Sequence, residues 1–371
     1  MNFIAQLLVI LMFALICGSI SAKLNLPLVL GELLAGLIIG PAFLNLVSTN
    51  DFLEVCSELG VVILMFLAGL ESKLSSLKKV LKPSVLVAVI GLVIPIIVAG
   101  VTGLVFGFSK PASIFLGVTF AATSVSISVE VLKELNKLQS KEGATILGAA
   151  VVDDVLAVIT LSFISNFGGQ PFRITLLKQV GGLTLILAVS WLIVPLVIDF
   201  SAKLPMPNAK SLMALIICFG MSYLAEISGL SAVIGSFFAG LAIGQTKYKK
   251  AIFEPINFSG ELIFIPIFFA SIGLKMNIKE LFANFGLFIA LTLGGIFSKL
   301  LGAGLGAKIA GFNWSSALMV GAGMVSRGEM ALIIAKLGLK NHLFSIDSYS
   351  AIVGAIIVTT IIAPLILKRT A

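Results

Sequence analysis

The stretch GAAVVDDVLAVIT, residues 148–160, places two adjacent aspartates inside an apolar run at 143–167. A charged side chain at the centre of a membrane helix costs roughly 2.5–3.5 kcal/mol on insertion scales. Two neighbouring carboxylates also repel each other. Asp153 and Asp154 therefore need water or positively charged partners at their own depth. Other segments of the chain must fold so that they bring such partners next to the two aspartates.

Composition indicates a polytopic membrane protein. The 371 residues are 59% hydrophobic and 11% charged, with a mean hydropathy of +1.16, whereas a soluble chain carries about 25% charged residues. The apolar runs lack the alternating pattern of a transmembrane barrel. We therefore predict an all-α protein of about thirteen transmembrane helices, near 3–22, 26–44, 54–71, 84–108, 112–132, 143–167, 174–198, 210–228, 230–246, 258–275, 284–310, 314–338 and 348–367.

Basic residues predict the orientation of these helices. With the amino terminus outside, inner loops and the carboxy terminus hold 16 of the 25 lysines and arginines, and outer loops hold 7. Such an excess marks the cytoplasmic side. We expect a multi-pass protein of the inner (plasma) membrane with a cytoplasmic carboxy terminus, in contact with the bilayer and not with nucleic acid. The first run could be a cleaved signal peptide, but its length and its lack of a basic start favour a retained helix.

The chain repeats itself at an offset of 204 residues. LVLGELLAGLIIG (28–40) aligns with AVIGSFFAGLAIG (232–244), and GLES (69–72) aligns with GLKM (273–276). The offset spans seven helices, an odd number, so the second copy is predicted to be inverted across the membrane. Inverted-topology repeats are typical of secondary transporters. Chance recurrence of small-residue packing motifs is the alternative.

Three more charged residues share the depth of the two aspartates. Lys299 lies in GGIFSKLLGAGLGA (294–307), and Arg327 and Glu329 lie in GAGMVSRGEMALII (321–334). Five charges at this depth must converge on a shared polar cavity, because none is tolerable alone. Three acids against two bases leave one negative charge in excess. A transported cation or proton could balance it, or one acid could hold its own proton.

The two aspartates are expected to have different partners. Adjacent helix positions point about 100° apart, so one carboxylate can face a cavity while the other faces a neighbouring helix. We assign Asp154 as the ion- and proton-binding carboxylate and Asp153 as the partner of Lys299; periodicity alone leaves the reverse assignment open. The one histidine, His342, lies in a loop. Proton chemistry at depth therefore falls to carboxylates or the lysine.

Two mid-helix stretches are rich in small and hydroxyl residues. Offset 204 aligns Thr123, in AATSVSIS (121–128), with Arg327 in the second stretch. Such residues permit helices to unwind or approach closely. We predict two broken helices that cross near the midplane, with Thr123 and Ser124 at the crossing, where carbonyl and hydroxyl oxygens suit a small alkali cation. Ordinary tight helix packing is the alternative.

These motifs, ATSVSIS (122–128), VVDDVLAV (151–158), FSKLLGAGLG (297–306), SRGE (326–329) and FLAGLE (66–71), resemble the bacterial sodium/proton antiporters of the cation/proton antiporter-2 type, in the two-aspartate, electrogenic branch. The resemblance implies that Asp154 carries the cation or proton and that Asp153 pairs with Lys299. It also implies that Arg327 and Glu329 hold the broken helix. We place Glu71, at the end of FLAGLE, in the same structural polar network. Related potassium efflux systems usually carry Gln-Asp at the aspartate pair, so Asp-Asp favours sodium.

The resemblance further implies a homodimer with two domains in each chain. Residues 1–82 and 204–282 would form the dimer scaffold, and residues 83–168 and 283–371 would form the ion-translocating core. Residues 169–203 would form a linking helix. We expect no cofactor and no enzymatic activity. Transport driven by ATP is not expected either, because no Walker A or glycine-rich nucleotide loop occurs.

Exchange of Na+ or Li+ for H+ is thus the leading hypothesis. A K+/H+ exchanger or gated potassium channel is the first alternative. A sodium-coupled symporter of an organic acid, in which Arg327 binds the substrate carboxylate, is the second. A non-transporting scaffold would give no reason for the buried charges.

Overall fold

The fold follows from long apolar segments interrupted at a few polar or proline positions. The computed structural model describes residues 3–164, 172–276 and 284–371, and within them the chain is helical and contains no β-strand. The predicted all-α class is confirmed. The helices are α1 Phe3–Lys23, α2 Leu28–Ile39, α3 Asp51–Glu71, α4 Leu74–Lys79, α5 Leu81–Val105, α6 Lys110–Ala121, α7 Val125–Glu134, α8 Lys141–Ile164, α9 Phe172–Leu192, α10 Val194–Ser201, α11 Ala209–Ile227, α12 Ala232–Gly244, α13 Lys249–Ser259, a π-helical turn Gly260–Phe264, α14 Ile265–Leu274, α15 Phe285–Ile309, α16 Trp314–Gly323, α17 Glu329–Lys340 and α18 Ile346–Thr370.

Every predicted apolar run overlaps at least one of these helices. Among the described residues, eight helical stretches are long and apolar enough to cross a bilayer, or nine if the bent pair α9 and α10 counts as one span. Helices α2 and α12 are apolar but shorter, with 12 and 13 residues. The number of thirteen spans therefore stays a prediction.

Two helices are broken where small and hydroxyl residues were predicted to break them. The first break, 122–124, separates α6 from α7, and the second, 324–328, separates α16 from α17. Both first halves begin with a side-chain cap. Ser109 accepts a hydrogen bond from the Ala112 amide at the start of α6, and Asn313 accepts one from the Ser316 amide at the start of α16. Ser109 and Asn313 are themselves 204 residues apart.

The repeat is visible in the way that helices touch. Several glycines approach the backbone of a neighbouring helix so closely that a Cβ atom would collide with it, and some of these contacts recur at the offset of 204 residues. Three recurring pairs are Gly31 on Cys17 and Gly235 on Met221, Gly36 on Ala270 and Gly240 on Phe66, and Gly273 on Leu33 and Gly69 on Phe237. A chance match of packing motifs would not reproduce three contacts in register. The inverted orientation of the two copies stays a prediction.

Prolines account for two irregularities that hydropathy does not reveal. Pro195 lies at the start of α10 and lacks the amide hydrogen that would continue α9, and the axis bends by 40° there. Pro266 follows the π-helical turn Gly260–Phe264 and also lacks an amide hydrogen. The Ile265 amide there bonds the Gly260 carbonyl, five residues earlier instead of four. Helix α13 also begins at Lys249, nine residues before the predicted start at 258.

The described residues group into two compact units. The first contains Met1–Leu53, Val80–Leu161 and Phe269–Ala371, and the second contains Glu54–Lys79 and Ser162–Phe268. The first unit contains both broken helices. It also contains α15, and α8 as far as Leu161. Within it, α15 packs along α5 through Gly302 and Gly306, which let the backbone of α5 come close. The predicted assignment of segments to scaffold, core and linker stays a prediction.

Candidate functional site

The first unit brings Asp153 and Lys299 into direct contact. Helix α8 carries the aspartate and α15 carries the lysine, whose Nζ lies 3.2 Å from Oδ1 and 3.3 Å from Oδ2 of Asp153. Each side chain is only 1% exposed. A buried ion pair of this kind is stable only while both partners are present, because removing one leaves an uncompensated charge in a low-dielectric interior.

Lys299 also contacts the end of a broken helix. Its Nζ donates a hydrogen bond of 2.6 Å to the carbonyl oxygen of Ala121, the last residue of α6. The last carbonyls of a helix have no intrahelical donor and carry a partial negative charge. The lysine therefore neutralises two negative groups at once, the Asp153 carboxylate and the carboxyl end of α6.

Arg327 holds both breaks in place. It is fully buried, and it donates from Nε to the Phe120 carbonyl at 3.0 Å, from Nη1 to the Val325 carbonyl at 2.9 Å and from Nη2 to the Gly295 carbonyl at 2.7 Å. The guanidinium also lies 5.2 Å from the centre of the Phe120 ring, within the range of a cation–π interaction. Its planar fork thus joins α6, the second break and α15, which a lysine could not do.

The two breaks are bonded directly to each other. The Ser124 amide donates to the Ser326 carbonyl at 2.8 Å, and the Ser326 hydroxyl donates to the Ser124 carbonyl at 2.6 Å. The Ser128 hydroxyl donates to the Gly323 carbonyl at 2.5 Å. These bonds give backbone groups at the breaks the partners that they lose when the helix stops. The predicted crossing of two broken helices is therefore observed.

Asp154 and Thr123 adjoin this cluster along the chain, Asp154 in α8 and Thr123 in the first break. Asp154 is 8% exposed against 1% for Asp153. The Thr123 hydroxyl is buried and makes no hydrogen bond with any residue that the structure describes. A buried oxygen in that condition is open to a ligand that supplies positive charge, such as a small hard cation.

The four described charges of the cluster balance one another. Asp153, Asp154, Lys299 and Arg327 sum to zero, and the predicted excess of one negative charge rests on Glu329 and stays a prediction. Glu329 begins α17, but its side chain lies outside the described residues. The carboxyl end of α6 adds about half a negative charge, and both cations bond to it. Among the described groups, the carboxyl end of α6 therefore supplies negative charge beyond that of the two aspartates.

Some predicted and some unpredicted residues remain to be placed. Glu71 is the last residue of α3 and belongs to the second unit, so its place in the polar network stays a prediction. The sequence reasoning missed Ser128, Ser326 and Thr360, whose hydroxyls contact the breaks. Ser128 and Ser326 had one signal, since both lie among the small residues of the two stretches, whereas Thr360 lies outside them and had none. Across the described ranges, no group of three or more His, Cys, Asp or Glu residues is arranged to hold a metal ion.

Residues 9–371 match the transmembrane sodium/hydrogen exchanger family. The chain belongs to this family. The chain is 46% identical to a Na+/H+ antiporter of Enterococcus hirae, and the alignment covers 99% of this chain and 98% of that antiporter. It is 40% identical to the Na+/H+-K+ antiporter GerN of Bacillus cereus, over 100% and 96%.

The chain also shares its fold with a solved structure. The sodium proton antiporter MjNhaP1 of Methanocaldococcus jannaschii superposes with a TM-score of 0.74 over 98% of this chain and 95% of that one, at 20% identity. An antiporter fold of the cation/proton type is therefore shown. The two-aspartate, electrogenic branch stays a prediction.

Proposed function

We propose that this protein is a secondary active antiporter that exchanges cytoplasmic Na+ or Li+ for protons by alternating access. The observation that carries the proposal is the buried Asp153–Lys299 pair beside Asp154 at the crossing of two broken helices. The relatives named above support it, because two of them at 40–46% identity are named as Na+/H+ antiporters.

Competition for one carboxylate is the core of the proposed mechanism. Asp154 binds either a proton or the cation, so loading one expels the other. The Thr123 hydroxyl, with backbone carbonyls at the breaks, supplies further oxygen ligands of the kind that hard cations prefer. Asp153 stays paired with Lys299 while Asp154 is protonated. Neither Na+ nor H+ is a resident cofactor, since both are the transported substrates.

Lys299 makes the proposed cycle electrogenic. A cation that replaces the proton of Asp154 leaves the net charge of the cluster unchanged. If Lys299 also releases its proton when the cation binds, two protons exchange for one cation and each cycle moves one net charge. Replacement of Lys299 by a neutral residue is expected to abolish the dependence of transport on membrane voltage. Unchanged voltage dependence would assign the lysine a structural role.

The movement that exposes the site to each side is proposed from the resemblance and the repeat. Residues 83–168 and 283–371 carry the site across the bilayer against a scaffold of residues 1–82 and 204–282, and the scaffold forms a homodimer. The protein lies in the plasma membrane with its amino terminus outside. Repeats of this kind are typical of transporters in which one bundle moves against another.

Transport by Asp154→Asn in proteoliposomes tests the assignment. Imposed Na+ and pH gradients should drive rapid exchange in the wild-type protein and none above background in the variant, because an amide cannot bind and release a proton. Asp199→Asn is the matched control, since Asp199 is exposed at the end of α10. Full exchange by Asp154→Asn would refute the role of this carboxylate.

Potassium exchange is the second candidate, because the name of the relative GerN includes K+. Uptake of Rb+ and of Na+ in the same liposomes separates the two ions. Organic acid symport is disfavoured by the geometry. It needs Arg327 to face a substrate carboxylate, whereas this guanidinium is fully buried and bonded to three backbone carbonyls.

A further inference from the structure

Two neighbouring threonines of α18 differ in one contact. Thr359 and Thr360 are both fully buried, and each hydroxyl lies 2.8 Å from the carbonyl oxygen of Ile356 in the same helix. That bond is common for threonine within helices and has only local consequences. Thr360 alone of the pair can direct its single hydroxyl hydrogen instead to the carbonyl oxygen of Arg327, 33 residues earlier in the chain. Thr360 therefore links α18 to the second break.

The Arg327 carbonyl depends on that hydroxyl. Every carbonyl from 325 to 328 has a donor in the structure: Val325 from the Arg327 guanidinium, Ser326 from the Ser124 amide, Arg327 from the Thr360 hydroxyl and Gly328 from the Leu332 amide. Three of these four donors belong to the broken helices themselves. Thr360 is the one contributed by another helix, so it ties a carbonyl of the break to α18, in addition to the bond by which the Arg327 guanidinium ties the break to α15.

Apolar residues pack beside the contact between Thr360 and Arg327. Val325 packs with Ile296 of α15 and with Ala363, which follows Thr360 by about one turn of α18. A carbonyl left without a donor in such surroundings has no water to turn to, and it carries the full cost of desolvation. Loss of the hydroxyl is therefore expected to move the Arg327 backbone toward another donor.

A displacement of the Arg327 backbone would affect Lys299 and Asp153, because a chain of hydrogen bonds connects them. The Arg327 guanidinium bonds the Phe120 carbonyl, and the next carbonyl along, that of Ala121, bonds Lys299. Lys299 in turn bonds Asp153. We propose that Thr360 is a positioning residue for cation binding. By holding the backbone of Arg327 in place, it keeps Lys299 in position beside the aspartates. This inference rests on the proposed Na+/H+ exchange.

The test compares three variants in proteoliposomes with imposed Na+ and pH gradients. Thr360→Val keeps the shape and removes the hydroxyl, Thr360→Ser keeps the hydroxyl, and Thr359→Val removes a hydroxyl that bonds only within α18. We expect Thr360→Val to raise the half-saturating Na+ concentration about five- to tenfold, as loss of one buried hydrogen bond does. The maximal rate should change less than twofold. Thr360→Ser and Thr359→Val should match the wild type.

The other outcomes distinguish the role of Thr360 from the proposed function. Equal half-saturating Na+ concentrations for Thr360→Val and Thr359→Val would overturn the role of Thr360 alone. If Thr360→Val does not fold, Thr360→Ser decides: wild-type Na+ affinity supports the role of the hydroxyl, and a tenfold loss of affinity overturns it. A wild-type protein that exchanges no Na+ for H+ would overturn the proposed function, and with it this inference.

Discussion

Replacement of Lys299 by methionine exposes how strongly the buried pair depends on both members. Methionine has a similar length and no charge, so Lys299→Met removes the ammonium and leaves the packing volume nearly unchanged. Asp153 would then be a carboxylate that is 1% exposed and has lost its closest cation. The Ala121 carbonyl would lose a donor at 2.6 Å as well.

The expected cost is large for a single substitution. Removing one partner of a buried ion pair typically destabilises a protein by about 3–5 kcal/mol, because the remaining charge cannot be solvated. Asp153→Asn should cost a comparable amount, since it leaves the lysine unmatched. The double variant removes both charges, so its total cost should fall short of the sum of the single costs by about 2–4 kcal/mol.

Unfolding in a mild detergent measures these differences. The wild-type protein, both single variants and the double variant are unfolded under one set of conditions, and the coupling energy is taken from the four free energies of unfolding. Costs that add to within about 0.5 kcal/mol would refute the reasoning. The two groups would then not interact as the distance between them requires.

Three further outcomes follow from the same contacts. Arg327→Lys should lower Na+-driven proton flux at least about tenfold, because an ammonium cannot serve three carbonyls in different directions; flux in proteoliposomes within twofold of the wild type would contradict this. Gly36→Ala should destabilise the protein by about 1–3 kcal/mol in detergent unfolding, because its Cβ collides with the Ala270 backbone, whereas Gly18→Ala, which meets nothing within 4 Å, should not. Each drop of one pH unit in the range where Asp154 is mostly protonated should raise the half-saturating Na+ concentration about tenfold for every proton that the cation displaces, and Na+ titrations that do not depend on pH would exclude competition.

Sequence reasoning predicted the elements of the site because cost in the membrane depends on depth. Lys299 and the two aspartates stand at matching heights in separate apolar runs, and unpaired charges there are too costly to be separate. The same logic identified both breaks, since Thr123 and Arg327 share a repeat position and each lies among residues that release the helix. The contact of Lys299 with Asp153 and the bonded crossing follow that expectation.

Depth and periodicity do not determine what a side chain touches. The sequence predicts Arg327 in a polar network with Glu329, whose side chain lies outside the described residues; the contacts that the structure describes are with backbone carbonyls of α6, α15 and its own break. Two of these acceptors lie where a helix stops and the third lies within α15, and a backbone acceptor is not visible in the residue types of a sequence. Thr360 was missed for the same reason. A threonine that bonds its own helix and one that bonds a break look alike in a sequence.

Proton release on Na+ binding tests the shared carboxylate most directly. Titration of Na+ into purified, detergent-solubilised protein at constant pH, with released protons recorded in a weakly buffered solution, counts protons expelled per cation bound. We expect between one and two protons per Na+ from the wild-type protein, and neither Na+ binding nor proton release from Asp154→Asn. Saturable Na+ binding to the wild-type protein without any proton release would contradict the account.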